Sequence, residues 1–299
     1  MTANLAKSVH QRLLNLAKQR GQRFNDLLQH YALERWLYRL SKSVHRDRFV
    51  LKGALMLVAW NLPRSRPTRD IDMLARADND LNHIHQLVAE ICRTTVEDDG
   101  LQFDAHSVQT ERIAEDALYE GVRATFPGLL GNAKAPMQID LGFSDVITPG
   151  PTAIVYPSLI DMPRAELMAY NPETAIAEKF EAMVKLGELN SRMKDFFDIW
   201  TLSQSRAFVG AELRAAIIST FEHRGTTLNA GAVCFSSNFA ALPSKQSQWA
   251  AFLKRSGLTS DAPGQFQDVC AAVMTFLQPM LEAPADTLQW PSAGPWASV

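Results

Sequence analysis

Asp70 and Asp72 are separated by one residue, Ile71, inside Arg69-Asp70-Ile71-Asp72-Met73-Leu74. On a strand, side chains at i and i+2 share a face, so the two carboxylates project together while Ile71 and Met73 face inward. Carboxylates this close repel each other, and a hard divalent cation between them removes the repulsion. Two solvated acids on a surface strand would give the same local pattern, so the neighbours decide. Asp140 stands with Gln138 and Gly142 on one face of Met137-Gln138-Ile139-Asp140-Leu141-Gly142-Phe143, while Met137, Ile139, Leu141 and Phe143 alternate on the other. Upstream, Leu51-Lys52-Gly53-Ala54 runs from a short strand into a helix through a glycine, which lets phosphates approach backbone amides. The loop Arg64-Ser65-Arg66-Pro67-Thr68-Arg69 puts cations and hydroxyls directly before Asp70. Together these suit phosphoryl transfer between oxygens with two divalent cations, one at the attacking oxygen and one at the leaving phosphates.

Those residues need a scaffold that mixes strands and helices. Residues 3–46 predict two helices broken at Gly21, with Leu5, Val9 and Leu13 at helical spacing in the first. From Phe49 the pattern changes to a short strand (49–51), a helix (53–60), a Pro63/Pro67 loop, a strand (69–74) and an amphipathic helix (78–92). Strands are expected over 102–108, 121–126, 137–143 and 153–156. The alternation is not that of regular βαβ units, so an α+β core fits better than a doubly wound sheet. After about Pro163 the chain reads as mainly helical. Asn171-Pro172 is a helix start, and 192–204, 209–222 and 267–282 are further helices. The expected divisions are a helical extension (1–46), a core (47–165), a helical domain (166–283) and an extended tail (284–299) carrying Pro284, Pro291 and Pro295.

Composition excludes several classes. With 46% hydrophobic residues and 15 each of Gly and Pro in 299, the chain is neither fibrous nor low in complexity. The first 50 residues hold ten Lys/Arg against three acids, a charge of +7. The whole carries -2, so the rest carries about -9. That basic stretch suits phosphates or nucleic acid, or simply two solvated helices. Cys92, Cys234 and Cys270 lie far apart and are expected to be reduced and buried. No apolar run approaches the roughly 20 residues of a membrane span, and a soluble, cytoplasmic protein without membrane contact is expected.

In the helical half, Lys179 has Ala175, Ile176, Ala182 and Met183 as its i±3 and i±4 neighbours. A lysine at the edge of an apolar face must snorkel or meet an anion. Asp195 and Asp198 lie at i and i+3, with Arg192 and Lys194 placed for local salt bridges. His83-Ile84-His85 falls on a helix, where i and i+2 do not share a face, and reads as structural.

Leu33–Leu40, Phe49-Val50-Leu51-Lys52-Gly53-Ala54, Arg66-Pro67-Thr68-Arg69-Asp70-Ile71-Asp72, Glu178-Lys179-Phe180 and Arg192–Asp198 occur in the order of the blocks of the AbiEii/AbiGii nucleotidyltransferase toxins, which the chain resembles over roughly residues 5–280. The resemblance implies a polymerase-β-like nucleotidyltransferase core, a nucleoside triphosphate as substrate and two Mg2+ ions, or Mn2+ in their place. It implies that Asp70, Asp72 and Asp140 bind metal, with Asp140 also helping to deprotonate the acceptor. It makes Lys179 catalytic and nucleotide-binding, with Lys52, Gly53, Thr68, Arg69, Asp195 and Asp198 also at the nucleotide, in a cleft between core and helical domain. Asp195 ranks ahead of Asp198. Ala54 stands where the family often has a second glycine. The superfamily's Gly-Ser is absent at that turn, and Thr68 or Ser65 would supply the hydroxyl. The implied function is a toxin–antitoxin or abortive-infection toxin that transfers NMP to an acceptor hydroxyl, the tRNA 3′ end, and blocks translation. Its partner would be a separately encoded antitoxin. Transfer to a small-molecule or protein hydroxyl, or nucleotide binding without turnover, are the alternatives. Retention of three carboxylates argues against the last.

Overall fold

A computed structural model describes residues 3–62, 66–116, 119–229, 231–282, 285 and 287–298. The chain forms two compact units, the first made of Met1–Ala59, Pro67–Ser144 and Thr152–Ala169, the second of Trp60–Arg66, Asp145–Pro151 and Tyr170–Val299.

The first unit opens with helices α1 (Ala3–Arg20) and α2 (Phe24–Lys42), parted at Gly21, whose φ is +62°. Then follow β1 (Phe49–Lys52), a short helix α3 (Leu55–Ala59), β2 (Ile71–Ala75), α4 (Leu81–Arg93), β3 (Leu101–Phe103), β4 (Gln109–Asp116), β5 (Tyr119–Leu130), β6 (Ala133–Gly142), β7 (Thr152–Val155) and β8 (Glu166–Ala169). The strands make one eight-stranded mixed sheet in the order β3-β5-β6-β2-β1-β8-β7, with β4 beside the first part of β5. Strand β2 is central: it runs antiparallel to β1 and parallel to β6. Period-2 alternation sends Val122, Ala124 and Phe126 of β5, and Met137, Ile139 and Leu141 of β6, to one buried face. Helices α2 and α4 cover that face, with Trp36 of α2 packed 6.5 Å from Phe126 between ring centroids. α4 begins where its cap does: Asp80 accepts from the His83 amide.

Three expectations shift. The strand expected over 69–74 starts at Ile71, so Asp70 lies immediately before it rather than inside it. The helix expected over 53–60 shrinks to five residues. The strand expected over 102–108 ends at Phe103, because β3 has β5 as partner only opposite Gly128–Leu130.

The second unit is helical: α5 (Pro172–Leu186), α6 (Met193–Ser205), α7 (Gly210–His223), α8 (Ser237–Ala241), α9 (Pro243–Ser256) and α10 (Phe266–Leu277), with a small sheet of β9 (Phe208–Val209), β10 (Leu288–Trp290) and β11 (Ala297–Ser298). Asn171 caps α5 by accepting from the Thr174 amide, with Pro172 at the first helical position. Aromatic rings from separate helices form its core, including Phe180–Phe221 at 5.1 Å and Phe196–Phe266 at 5.0 Å. Part of the expected extended tail is paired in a sheet. β10 joins β9, and Trp290 packs on Phe276 while its indole donates to the Ser203 carbonyl at 2.7 Å. Residues 284, 286 and 299 of that tail, residue 283 before it, and Pro63, Arg64 and Ser65 of the loop before β2 lie outside the described residues. No described helix is long and apolar enough to cross a membrane.

Candidate active site

Register builds the site. Lys52 of β1 faces Asp72 of β2, and Asp72 faces Asp140 of β6. Cross-strand partners in register carry their side chains on the same face. Asp72 and Asp140 are therefore adjacent on the polar side of the sheet, opposite the face covered by α2 and α4. Asp70 reaches the same place from just before β2. Oxygens of Asp70, Asp72 and Asp140 all lie within 4.8 Å of one another.

The donors fit a hard divalent cation. They are all carboxylate oxygens, they converge from positions 68 residues apart in sequence (Asp72 to Asp140), and among the described residues they form a group close enough together to hold one ion. Mg2+ and Mn2+ favour such oxygen donors over imidazole or thiolate.

Each carboxylate is individually held. Asp70 accepts a short hydrogen bond from the Thr68 hydroxyl. Asp140 accepts from Arg123 of β5, with Nε and Nη2 each 2.8 Å from its two oxygens, and more weakly from the Gln138 amide at 3.1 and 3.3 Å. Its bond to Asp140 is the chief cause that raises the Arg123 guanidinium above its usual range, with Glu111 and Asp70 adding smaller attractions. Asp72 is set by Gly53. A Cβ on Gly53 would sit 1.9 Å from Asp72 Oδ2 and 2.7 Å from Asp72 Cβ, and the glycine holds φ at +74°. The glycine of Leu51-Lys52-Gly53-Ala54 thus makes room for a carboxylate of the site, a close approach that the sequence pattern assigned to phosphate. The helix that follows is only five residues long.

The strand approach is clamped from behind. Gln29 of α2 donates to the carbonyls of Arg69 (3.2 Å) and Pro136 (2.7 Å), joining the stretch before β2 to the start of β6. Arg69 itself is 82% exposed, with Asp26 3.8 Å away. Lys52 is buried beside Asp72.

Lys179, Asp195 and Asp198 come together in the second unit. Lys179 Nζ lies 3.2 Å from Asp195 Oδ1 and 2.8 Å from Asp198 Oδ2. Asp198 also receives the Arg66 guanidinium at 2.9 and 3.1 Å, and Arg192 Nε stands 2.6 Å from Asp195 Oδ2. Both aspartates are fully buried. Burial alone would raise the Asp198 carboxyl, but Arg66 and Lys179 outweigh it and hold it below its usual range. Likewise burial would lower Lys179, and the two aspartates raise it instead. The lysine at the edge of an apolar helix face has met its anions within its own unit. The sequence ranked Asp195 first, whereas the geometry gives Asp198 the shorter contact with Lys179 and the additional fork to Arg66.

Sequence reasoning passed over Arg123 and Gln29. Arg123 is a polar position on the alternating strand expected over 121–126, and its facing Asp140 follows only from the β5–β6 register.

A sequence model described as nucleotidyl transferase AbiEii toxin, type IV TA system, matches residues 35–275. A search of curated proteins gives no match. The fold is similar to the nucleotidyltransferase toxin MenT4 from Mycobacterium tuberculosis, with a TM-score of 0.54 at 14% identity over 91% of this chain and 96% of that one. Two further solved structures, both from Helicobacter pylori, are looser: a protein described as a nucleotidyltransferase (TM-score 0.46, 12% identity, 85% and 95% coverage) and JHP933 (0.48, 11%, 86% and 93%).

Proposed function

Since the chain belongs to the AbiEii family of nucleotidyltransferase toxins of type IV toxin–antitoxin systems, we propose that it moves a nucleoside monophosphate from an NTP to the 3′-terminal hydroxyl of tRNA at a centre made by Asp70, Asp72 and Asp140. The observation that carries this reading is the convergence of those three carboxylates within 4.8 Å. Bound Mg2+ or Mn2+ supplies a lowered acceptor pKa and charge neutralisation at the phosphates.

The chain's own residues do the rest. Asp72, wedged by Gly53, and Asp70, tied by Thr68, present two carboxylates side by side. Asp140, on the neighbouring strand, is the group placed to accept the proton of the attacking hydroxyl. Arg69, exposed next to Asp70 in sequence, is a cation for the triphosphate. Lys179 is the nucleotide-binding candidate of the second unit, where Asp195 and Asp198 orient its ammonium. Of the ten cations in the first 50 residues, Arg35 and Arg39 are buried against Glu34 and Asp99, and the remaining cations near the surface suit a polyanionic acceptor.

The test incubates the full chain with each labelled NTP, Mg2+ and total RNA. Label is expected in a tRNA band, released as a single added nucleotide by 3′ exonuclease. Label on protein, on a small molecule or nowhere overturns the tRNA reading. A separately encoded antitoxin is expected to restore growth of cells in which the chain labels tRNA.

A further inference from the structure

Arg123 lies in none of the family's sequence blocks, yet it grips one of the three carboxylates with two bonds, Nε to Oδ1 and Nη2 to Oδ2, each 2.8 Å. We propose that Arg123 is a positioning residue for the metal centre: it fixes the plane of Asp140 so that the carboxylate turns its remaining acceptor sites to the ion shared with Asp70 and Asp72. This rests on the metal-centre reading above.

Three observations carry it. The first is register. Arg123 faces Asp140 from β5 while Asp72 faces it from β6's other neighbour, β2, so the guanidinium holds the carboxylate from the side opposite the ion site. The second is the shape of the contact. A carboxylate has about four acceptor sites, and a fork uses one on each oxygen in a fixed plane. A single-point contact would leave the plane free to turn, and the Gln138 amide, reaching both oxygens only at 3.1 and 3.3 Å, holds it less firmly than the fork. The third is charge. The row Glu111, Arg123, Asp140, Asp72, Lys52 crosses five strands in register. Arg123 and Lys52 flank Asp140 and Asp72, so these two carboxylates are kept close before any ion arrives. Fold stability does not explain the contact, because Arg123's side chain is 32% exposed and pairs of that kind contribute about 0–1 kcal/mol.

The opposite role is also definable: a guanidinium on Asp140 could compete with the ion, and its removal would then tighten metal binding. Calorimetric titration of Mn2+ into the full chain without nucleotide separates the two, with melting temperature measured alongside. Arg123→Gln is expected to weaken Mn2+ binding about 10- to 100-fold while the melting temperature changes little. Arg123→Lys keeps the charge but not the fork, and its affinity is expected to fall between the two. Unchanged or tighter Mn2+ binding in Arg123→Gln overturns the proposal. If that variant does not fold, Arg123→Lys decides, and wild-type affinity there overturns it. Asp140→Asn distinguishes the premises. Loss of Mn2+ binding in Asp140→Asn with none in Arg123→Gln removes only the role of Arg123. Wild-type binding in Asp140→Asn removes the metal-centre reading and the proposal with it.

Discussion

Replacing Gly53 by alanine adds one methyl group where Asp72 already stands. The new Cβ would meet Asp72 Oδ2 at 1.9 Å, Cγ at 2.6 Å and Cβ at 2.7 Å, and ordinary contact begins near 3.4 Å, so the oxygen must retreat by about 1.5 Å (3.4 less 1.9). Rotation of the Asp72 side chain moves Oδ2 and Cγ but leaves its Cβ in place. The backbones of β1 and β2 must therefore part as well, next to the Lys52–Asp72 pair. A left-handed φ of +74° on a residue with a Cβ adds strain of about 1–2 kcal/mol. Gly53→Ala is thus expected to lose about 2–4 kcal/mol of stability, taking the strain together with a comparable overpacking cost. Moving a proposed metal ligand by more than 1 Å should lower transfer about 100-fold and weaken Mn2+ binding about 10-fold or more. The control is Gly21→Ala in the α1–α2 turn, where φ is +62° but no atom lies within 4 Å of the added Cβ. It carries the strain without the collision, so it should lose about 1 kcal/mol and keep wild-type Mn2+ affinity. Denaturant unfolding and Mn2+ calorimetry on both variants read the two terms separately. Gly53→Ala with the same Mn2+ affinity as Gly21→Ala would refute the claim that the glycine exists to admit Asp72.

Other perturbations read other parts. Asp70→Ala should abolish label transfer from every NTP at unchanged melting temperature, and retained transfer removes Asp70 from the centre. Lys179→Met removes the ammonium from the buried Asp195 and Asp198 and leaves Arg66 on Asp198 and Arg192 on Asp195, and should cost about 3 kcal/mol in urea unfolding. A cost within error would show that the cluster is not what holds those helices. The same cluster sets an acid limit. Asp198 is depressed in the folded state, so its contribution is present above the usual carboxylate range and is lost as pH falls through its lower folded value. His30 acts in a different window. Burial, with Arg20 adding to it, pushes its pKa down to about 4 from 6.5, so the folded state resists protonation. Stability should fall as pH drops from 6.5 towards 4, by about 2 kcal/mol after allowance for the ring's partial exposure. His30→Gln should flatten that part of a melting-temperature profile.

Local signals in the sequence located several elements well. Asn171-Pro172 starts α5, Gly21 parts α1 from α2, and clean alternation marks β5 and β6. What stayed hidden depends on partners distant in the chain. Strand β4, Gln109–Asp116, holds few apolar residues and is a strand because β5 supplies its ladder. Strand β8 is four residues long and pairs in parallel with β1, more than a hundred positions upstream. Helix α9, Pro243–Ser256, has a polar sequence whose buried side rests on Trp249, Phe252 and Leu253. For the candidate site, Asp70 falls just before β2 and reaches the cluster from the approach to that strand, whereas Asp72 and Asp140 were legible as strand positions because residue type and strand spacing are local. The grip of Arg123 on Asp140 and the wedge of Gly53 against Asp72 were not, since each is a contact between strands.

The charged row from Lys52 to Glu111 has a consequence for when this toxin becomes active during its own synthesis. Asp70 and Asp72 leave the ribosome well before Asp140, and β2 cannot pair with β6 until β6 has been made. Parallel pairing of that kind waits for a long crossover, and a slip of one residue would turn Asp140, the single acid of β6, to the buried face. An unfinished or misregistered chain therefore carries the acids without their convergence, so the three-carboxylate cluster exists only once the sheet has closed.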